Sequence, residues 1–514
     1  MIVSNLKSIN YLRPFKIKQL MNKIGVVIFS IFIFISCKTS KIDFLLSEGL
    51  VIENARIISP ENQIISSEQY VVIDGENIIF IGEDKPNLKG SFKTVDAKGQ
   101  YVIPGLIDSH VHVTGTDALS DLEELENPEI VKSFRTQLPK SYLYFGYTTL
   151  IDLGTAKPTR LSEFSNAEIK PDLYYVGGGA VIGNGYGLSN WNDEIPNFIY
   201  QDNEAYPIPE KYTKANHSPE AVVKRIAESG AIAVKTYYEP GFDPTQPPFP
   251  TPSEELMTTL KDETHNNNLV LIAHGNSLEA HQFLGNVQVD IIAHGLWNWE
   301  DYRLDNTNSI PREIKKVLDT EIENNVGYMP TLQVINGLRS LTNLDFLNNS
   351  ELEHVLPKQL IEYYKTNADK MYVNVFGDAP KHIISTNFNR ISNQGKKSLK
   401  YLYDYNGKIL FGTDTPSSPT YGNPPGYNGY LEMLDMEKAG IPLREILASA
   451  TIENAKAFKL DHLYGTVEKG KKANLLILNK NPIQDITAYN DISKVIINGK
   501  LMSRTCFSAT KIKE

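Results

Sequence analysis

The sequence predicts an α/β fold: a (β/α)8 TIM barrel with a small flanking β-sandwich built from both chain ends. Eight short apolar runs alternate with helical patterns through the middle of the chain. Strand-turn-strand patterns bracket that middle on both sides. The length, 514 residues, fits one large barrel with insertions.

The elements are taken in chain order. Residues 1–36 read as a signal peptide. MNKIGVVIFSIFIFISCKTSK, from Met21 to Lys41, has a short basic start, an apolar run from Ile24 to Ile35, then Ser36 and Cys37. The run has the length of a secretory segment and falls short of the roughly 20 residues that span a membrane. An anchor that is never cleaved is the alternative. The pattern resembles a bacterial lipoprotein signal, which implies lipidation at Cys37, with Phe34 standing where that signal usually has Leu. Residues 37–48 are then a lipid-anchored tether, and the protein is exported to the periplasm or cell surface. One other cysteine exists, Cys506, so no disulfide framework is available.

Residues 49–103 and 464–503 form the predicted β-sandwich. GLVIENARIIS and EQYVVIDGENIIFIGE alternate around a tight DGEN turn, and GTVEKGKKANLLILNK and DISKVIINGKLM repeat the pattern near the end. Residues 104–463 form the predicted barrel. Its runs are YVIPGLIDSHVH, TTLIDLG, DLYYVGGG, AIAVKTYY, LVLIAHG, VDIIAHG, VGYMPTLQV and KILFGTD, with helical stretches such as SPEAVVKRIAESG and SLEAHQFLGN between them. About residues 339–400 a helical insertion carries periodic apolar positions, Leu352, Leu356, Leu360, Tyr363 and Tyr364. Composition is that of a globular protein, with net charge −10 and no basic block after residue 41, which argues against nucleic acid as a partner.

Chemistry collects at the ends of these runs. His110 and His112 are one residue apart, so a strand's two-residue period points both the same way. Lys235 lies in run four, His274 ends run five, His294 ends run six and Asp414 ends run eight. In a barrel, the C-terminal strand ends meet on one face, where active sites sit. Each piece alone has an ordinary reading, such as a strand leaving the core or a lysine at a sheet edge. Their conjunction at strand ends points to metal binding: four histidines and a carboxylate suit Zn²⁺ or a similar borderline ion. A buried lysine among apolar AIAV loses basicity, and CO₂ can then convert its amine to a carbamate able to bridge two metals.

In this order, HxH, Lys, His, His and Asp resemble the amidohydrolase superfamily, and the flanking text resembles its imidazolonepropionase-like branch. PGLIDSHVH, TTLIDLG, GTDTP and SATIENAKAFKLDHLYGTVEKGKKANLLILNKNP carry the likeness, which runs from about Gly49 to Met502. The resemblance implies two divalent metals, one held by His110, His112 and Asp414, the other by His274 and His294. Carboxylated Lys235 and a hydroxide would bridge them, and Asp414 would also move protons. Two departures concern the substrate. Many relatives carry HAHG at run five, where this chain has AHGN, and GGH after run three, where it has GNGYG.

Tyr237, two residues past Lys235, is expected to point inward and donate to an oxyanion, or else simply to pack on the strand end. Trp191, Trp297 and Trp299 all follow barrel runs and are expected at the substrate rim, unless they only pack the loops together. The sequence thus predicts a metal-dependent amidohydrolase cleaving amide or peptide-like C–N bonds in small-molecule or short-peptide substrates, with a dipeptidase leading. A cyclic-amide hydrolase or deaminase is the first alternative, and a non-catalytic binding lipoprotein the second.

Overall fold

The structure, a computed structural model, describes residues 43–154, 158–177, 179–183, 185–186, 197–201, 213–242, 245–304, 309–416 and 419–511. The signal segment, Cys37 and Trp191 lie outside the described residues. No described helix is long and apolar enough to cross a membrane.

One eight-stranded sheet takes strands from both chain ends. β1 (Asp43–Ser59), β2 (Ile64–Asp74), β3 (Asn77–Gly82), β4 (Asn87–Asp96) and β5 (Tyr101–Pro104) come from the first, and β15 (Leu475–Leu478), β16 (Ile492–Ile497) and β17 (Lys500–Ser503) from the second. The order is β17-β16-β15-β5-β1-β2-β3, with β4 also on β1. The join between the ends is antiparallel, β15 on β5, with Leu475 opposite Pro104 and Leu478 opposite Tyr101. Alternation explains the burial: Ile52, Val71, Ile73, Val102, Leu475, Ile477 and Ile496 form one core under the sheet. The two-residue turns are where DGEN and NG place them. Gly75 between β2 and β3, and Asn498-Gly499 between β16 and β17, have positive φ, which favours small or amide side chains. Residues 43–48, expected within the tether, belong to a strand instead. β1 starts at Asp43, because Asp43 to Leu46 pair in register with Asn87 to Gly90 of β4.

The middle of the chain is a succession of parallel strands and helices. β6 (Leu106–Val111), β7 (Tyr147–Asp152) and β8 (Asp172–Tyr175) form one parallel sheet. β9 (Val181–Ile182) and β10 (Phe198–Ile199) form a short pair. β11 (Ala233–Tyr237), β12 (Val270–His274), β13 (Ile291–Ala293) and β14 (Gly327–Met329) form a second parallel sheet. Hydrogen bonds connect the two sheets at both sides. Ile232 N donates to Tyr175 O, and Ala180 N to Lys235 O. On the other side the KILFGTD run is not a regular strand, yet it bridges β14 and β6: Leu410 N donates to Tyr328 O, and Ser109 N to Phe411 O. Continuous burial of β6, β7 and β12 follows from helices and neighbouring strands covering both faces.

Helices begin where serines allow. Ser218, Ser253 and Ser277 each accept a backbone N–H from the first turn of the helices Pro219–Glu228, Glu254–Asn266 and Leu278–Val287. The insertion consists mainly of helices Lys358–Phe376 and Lys381–Asp404. Leu352, Leu356, Leu360 and Tyr364 are buried as their spacing predicts, and Tyr364 donates to Asp117 O, tying the insertion to the loop that follows the HxH strand. Tyr363 is only half-buried and donates to Glu123.

Candidate metal centre

The end of β6 and the end of the KILFGTD run are fastened before their side chains meet. Asp414 N donates to His110 O at 2.7 Å, and His112 N to Thr415 O at 2.8 Å. Buried Asp108 braces the same junction, accepting from His110 N, Thr413 N and Thr413 Oγ1 at 3.2, 3.1 and 2.7 Å. Asp414 Oδ1 then lies 3.0 Å from His110 Nε2 and 2.7 Å from His112 Nε2. One ligand atom from each of the three falls within 4.8 Å of the others. The β12 and β13 ends supply the next pair. The ring of His294 is 4.6 Å from that of His274 and 5.1 Å from that of His110. Lys235 is almost wholly buried on β11, its charge acting on Asp414, His110, His274 and His294. All six residues singled out from the sequence are therefore gathered.

Backbone strain marks the same place. His294, Thr331 and Asp414 have φ of 90°, 40° and 60°, in the left-handed region that non-glycine residues rarely adopt.

Electrostatics leave most of these imidazoles neutral and the carboxylate ionised. Burial pushes the His110 imidazole down to about 3, a change Asp414 opposes and Lys235 assists. Burial also holds His294 well below its ordinary value, with His274 adding to the effect, and it lowers His274 despite Glu239 beside it. For His112 burial works downward too, but the hydrogen bond and charge of Asp414 outweigh it and the net shift is upward. Asp414 is raised by burial, yet the surrounding histidines bring it well below the usual carboxylate range. Neutral imidazoles at His110, His274 and His294 beside an ionised carboxylate are a donor set that fits Zn²⁺ or a similar ion, and His112 joins it by giving up its proton. Burial lowers the Lys235 ammonium to about 8, so an appreciable fraction is neutral amine near physiological pH.

Several contributors were not singled out from the sequence. Glu239 and Asn276 sit against His274, and Thr331 Oγ1 lies 2.9 Å from His294 Nδ1. Glu239 had a visible signal, since Lys235, Tyr237 and Glu239 alternate on one side of an extended segment. Thr331 and Asn276 had none. Tyr237 does face the site: its ring is 5.6 Å from that of His274 and 5.4 Å from Lys235 Nζ. Burial raises its phenol, which keeps the proton in place.

The tryptophan rim needs correction. Trp299 is 1% exposed and donates to Leu296 O and Ser398 Oγ, so it belongs to the core. Trp297 is buried as well, bonded to Pro330 O, with its indole 5.3 Å from the His294 ring. It backs that histidine and does not line a rim. The cause is helix Lys381–Asp404, which lies over both indoles. At Gly395 a Cβ would come within 2.7 Å of Trp297 Cδ1, so only glycine admits the ring there. Other aromatics stand outward of the site. Tyr186 stacks on His274 at 5.3 Å, and Phe242 and Phe249, 66% and 41% exposed, lie 5.6 and 6.2 Å from Tyr186.

The match to the amidohydrolase family covers residues 101–502, and the chain belongs to that family. Among curated relatives, L-hydantoinase of Paenarthrobacter aurescens is 28% identical over 132 residues, 25% of this chain and 27% of that one. Dihydroorotase of a Wolbachia strain is 41% identical over 59 residues, 12% of this chain and 13% of the other. The aligned stretches thus span about a quarter or less of these relatives' length. Solved structures match over nearly the whole chain. A Xaa-Pro dipeptidase with bound methionine is similar at TM-score 0.60 and 20% identity, covering 88% of this chain and 100% of that one. Aspergillus niger ochratoxinase is similar at TM-score 0.60 and 17% identity, covering 89% and 96%. The structural likeness is one of fold.

Proposed function

We propose that this chain is a metal-dependent hydrolase of C–N bonds acting on amide or peptide-like small molecules. The observation that carries the reading is the meeting of His110, His112 and Asp414 with Lys235, His274 and His294 at the ends of parallel strands. We read the parallel strands as a (β/α)8 barrel and the sheet from both chain ends as its flanking sandwich. His110, His112 and Asp414 would hold one divalent ion, and His274 and His294 a second, with Lys235 as a carbamate between them. When bound, such ions supply Lewis acidity and make water nucleophilic near neutral pH.

The remaining work falls to side chains. Asp414, held ionised, takes the proton of the attacking water and delivers it to the leaving nitrogen. Tyr237 keeps its phenolic proton and donates a hydrogen bond to the oxygen on which negative charge develops. Tyr186, Phe242 and Phe249 lead outward from His274 and offer apolar surface to a bulky group beside the scissile bond. Likeness to a Xaa-Pro dipeptidase supports short peptides as the leading class. The aligned stretches of L-hydantoinase and dihydroorotase favour cyclic amides as the second reading. Export with lipidation at Cys37 is proposed on the signal pattern of residues 21–41, and mass spectrometry of the native N-terminus tests it.

The deciding experiment is a panel of dipeptides, N-acyl amino acids, cyclic amides and aminated bases, assayed with added Zn²⁺. Hydrolysis of dipeptides or N-acyl amino acids is expected. Turnover confined to cyclic amides moves the protein to the second reading, and ammonia release from aminated bases alone rejects amide hydrolysis.

A further inference from the structure

We propose that Glu239 is a positioning residue of the metal centre, dictating which ring nitrogen of His274 is left to hold an ion. The inference rests on the metal-dependent reading and extends it to a residue outside the ligand set. Glu239 lies two residues beyond β11 and is 6% exposed. Its carboxylate gathers three donors. Gly241 N reaches Oε1 at 2.8 Å, and Asn276 Nδ2 and His274 Nε2 each reach Oε2 at 3.2 Å. A carboxylate only accepts, so the contact with His274 places the proton on Nε2. In a neutral imidazole the lone pair then belongs to Nδ1.

An imidazole that offers one nitrogen to a metal while its other N–H is held by a carboxylate is fixed in tautomer and orientation together. Asn276 cannot take over this task. Its Nδ2 donates to Glu239 Oε2 at 3.2 Å, which turns the amide nitrogen, 3.5 Å from His274 Nε2, rather than the accepting oxygen toward the ring. His294 contrasts with His274: its Nδ1 meets the hydroxyl of Thr331, which can donate or accept and so imposes neither tautomer. His110, His112 and Asp414 are held by contacts of their own at β6. The consequence is selective. Loss of Glu239 should weaken the ion held by His274 and His294 and spare the other.

The test uses the full chain as wild type, Glu239→Gln and Glu239→Asp, with Zn²⁺ content by elemental analysis and affinity by competition with a chromophoric chelator. Gln is nearly the same size as Glu, but its amide can donate to Nε2 and so permits the wrong tautomer. Asp is shorter yet remains an acceptor. The expected result is about two ions for wild type, with the second weakened roughly 10–100-fold in Glu239→Gln and less in Glu239→Asp. Equal affinity in all three overturns the inference, as does Asp binding the second ion more weakly than Gln, the order a mere space-filling role requires. Loss of both ions in both variants also overturns it. Wild type that takes up no metal removes the underlying hydrolase reading, a result distinct from variants that match a two-ion wild type.

Discussion

Trp299 and Phe242 are both large and aromatic, yet one is 1% exposed and the other 66%. The difference sets what each can contribute. Trp299→Ala opens a core cavity and removes two hydrogen bonds from the indole, so it should cost about 3–5 kcal/mol of stability. It should leave relative rates among substrates unchanged. Phe242→Ala should cost well under about 1 kcal/mol, since little burial is lost. If its ring contacts the substrate, it should lower kcat/KM for Phe-containing over Gly-containing dipeptides by about tenfold. Denaturant unfolding and the kcat/KM ratio measure the two effects, and a ratio altered in Trp299→Ala but not in Phe242→Ala would refute this division. At this scale the candidate ligands were legible as neighbours because strand periodicity and strand ends are written in sequence. The burial of Trp297 and Trp299 was not, because the loop that carries both reads as a rim until Gly395 and Ser398 of a distant helix are seen to close over it.

Among the elements, helix Leu332–Ser340 starts immediately after Thr331, the residue that touches His294. Its start has no serine cap of its own. Instead Glu432, from helix Tyr427–Lys438, accepts Gln333 N at 2.7 Å. Burial pushes this carboxyl up to about 8, although the hydrogen bonds it accepts oppose the change. In an unfolded chain the group titrates at about 4.3. Between those two values the native state holds a proton that the unfolded state has released, so stability falls as pH rises through this window and is level above it. Glu432→Gln, which keeps an acceptor for Gln333 N, should remove that slope. Its stability relative to wild type should be greater at pH 8.5 than at pH 5, by an amount on the order of a few kcal/mol at most. Thermal melts of both proteins at the two pH values check it, and parallel changes would show that Glu432 is ionised throughout. A cap supplied from 99 residues away is invisible in local sequence, whereas Ser218, Ser253 and Ser277 cap the helices that directly follow them.

Across the whole molecule, the candidate ligands run from His110 to Asp414 and converge only when the parallel strands have assembled. The alternation of apolar runs and helices, and the pairing of the two chain ends into one sheet, are legible in the sequence because each repeats a short local pattern. The irregular eighth run is not, since KILFGTD has the composition of a strand but makes only isolated bridges, at Ile409 and just past its end at Thr415, and ends on positive φ at Asp414. A metal bound at that convergence would be a structural tie as well as a reagent. An ion that binds the folded chain and not the unfolded one stabilises it by RT ln(1 + [L]/Kd), about 4 kcal/mol at a thousandfold excess over Kd. Chelator dialysis should therefore lower Tm by several degrees, and Zn²⁺ should restore it. Asp414→Asn should respond much less, because the amide replaces the ionised acceptor shared by His110 and His112. The same variant should lose at least about 100-fold in kcat through the missing proton transfer. Differential scanning calorimetry with and without chelator measures the first effect. A Tm indifferent to metal removal, once elemental analysis shows the ions gone, would mean that the six residues hold their positions without any ion and that the centre is stabilised by the fold alone.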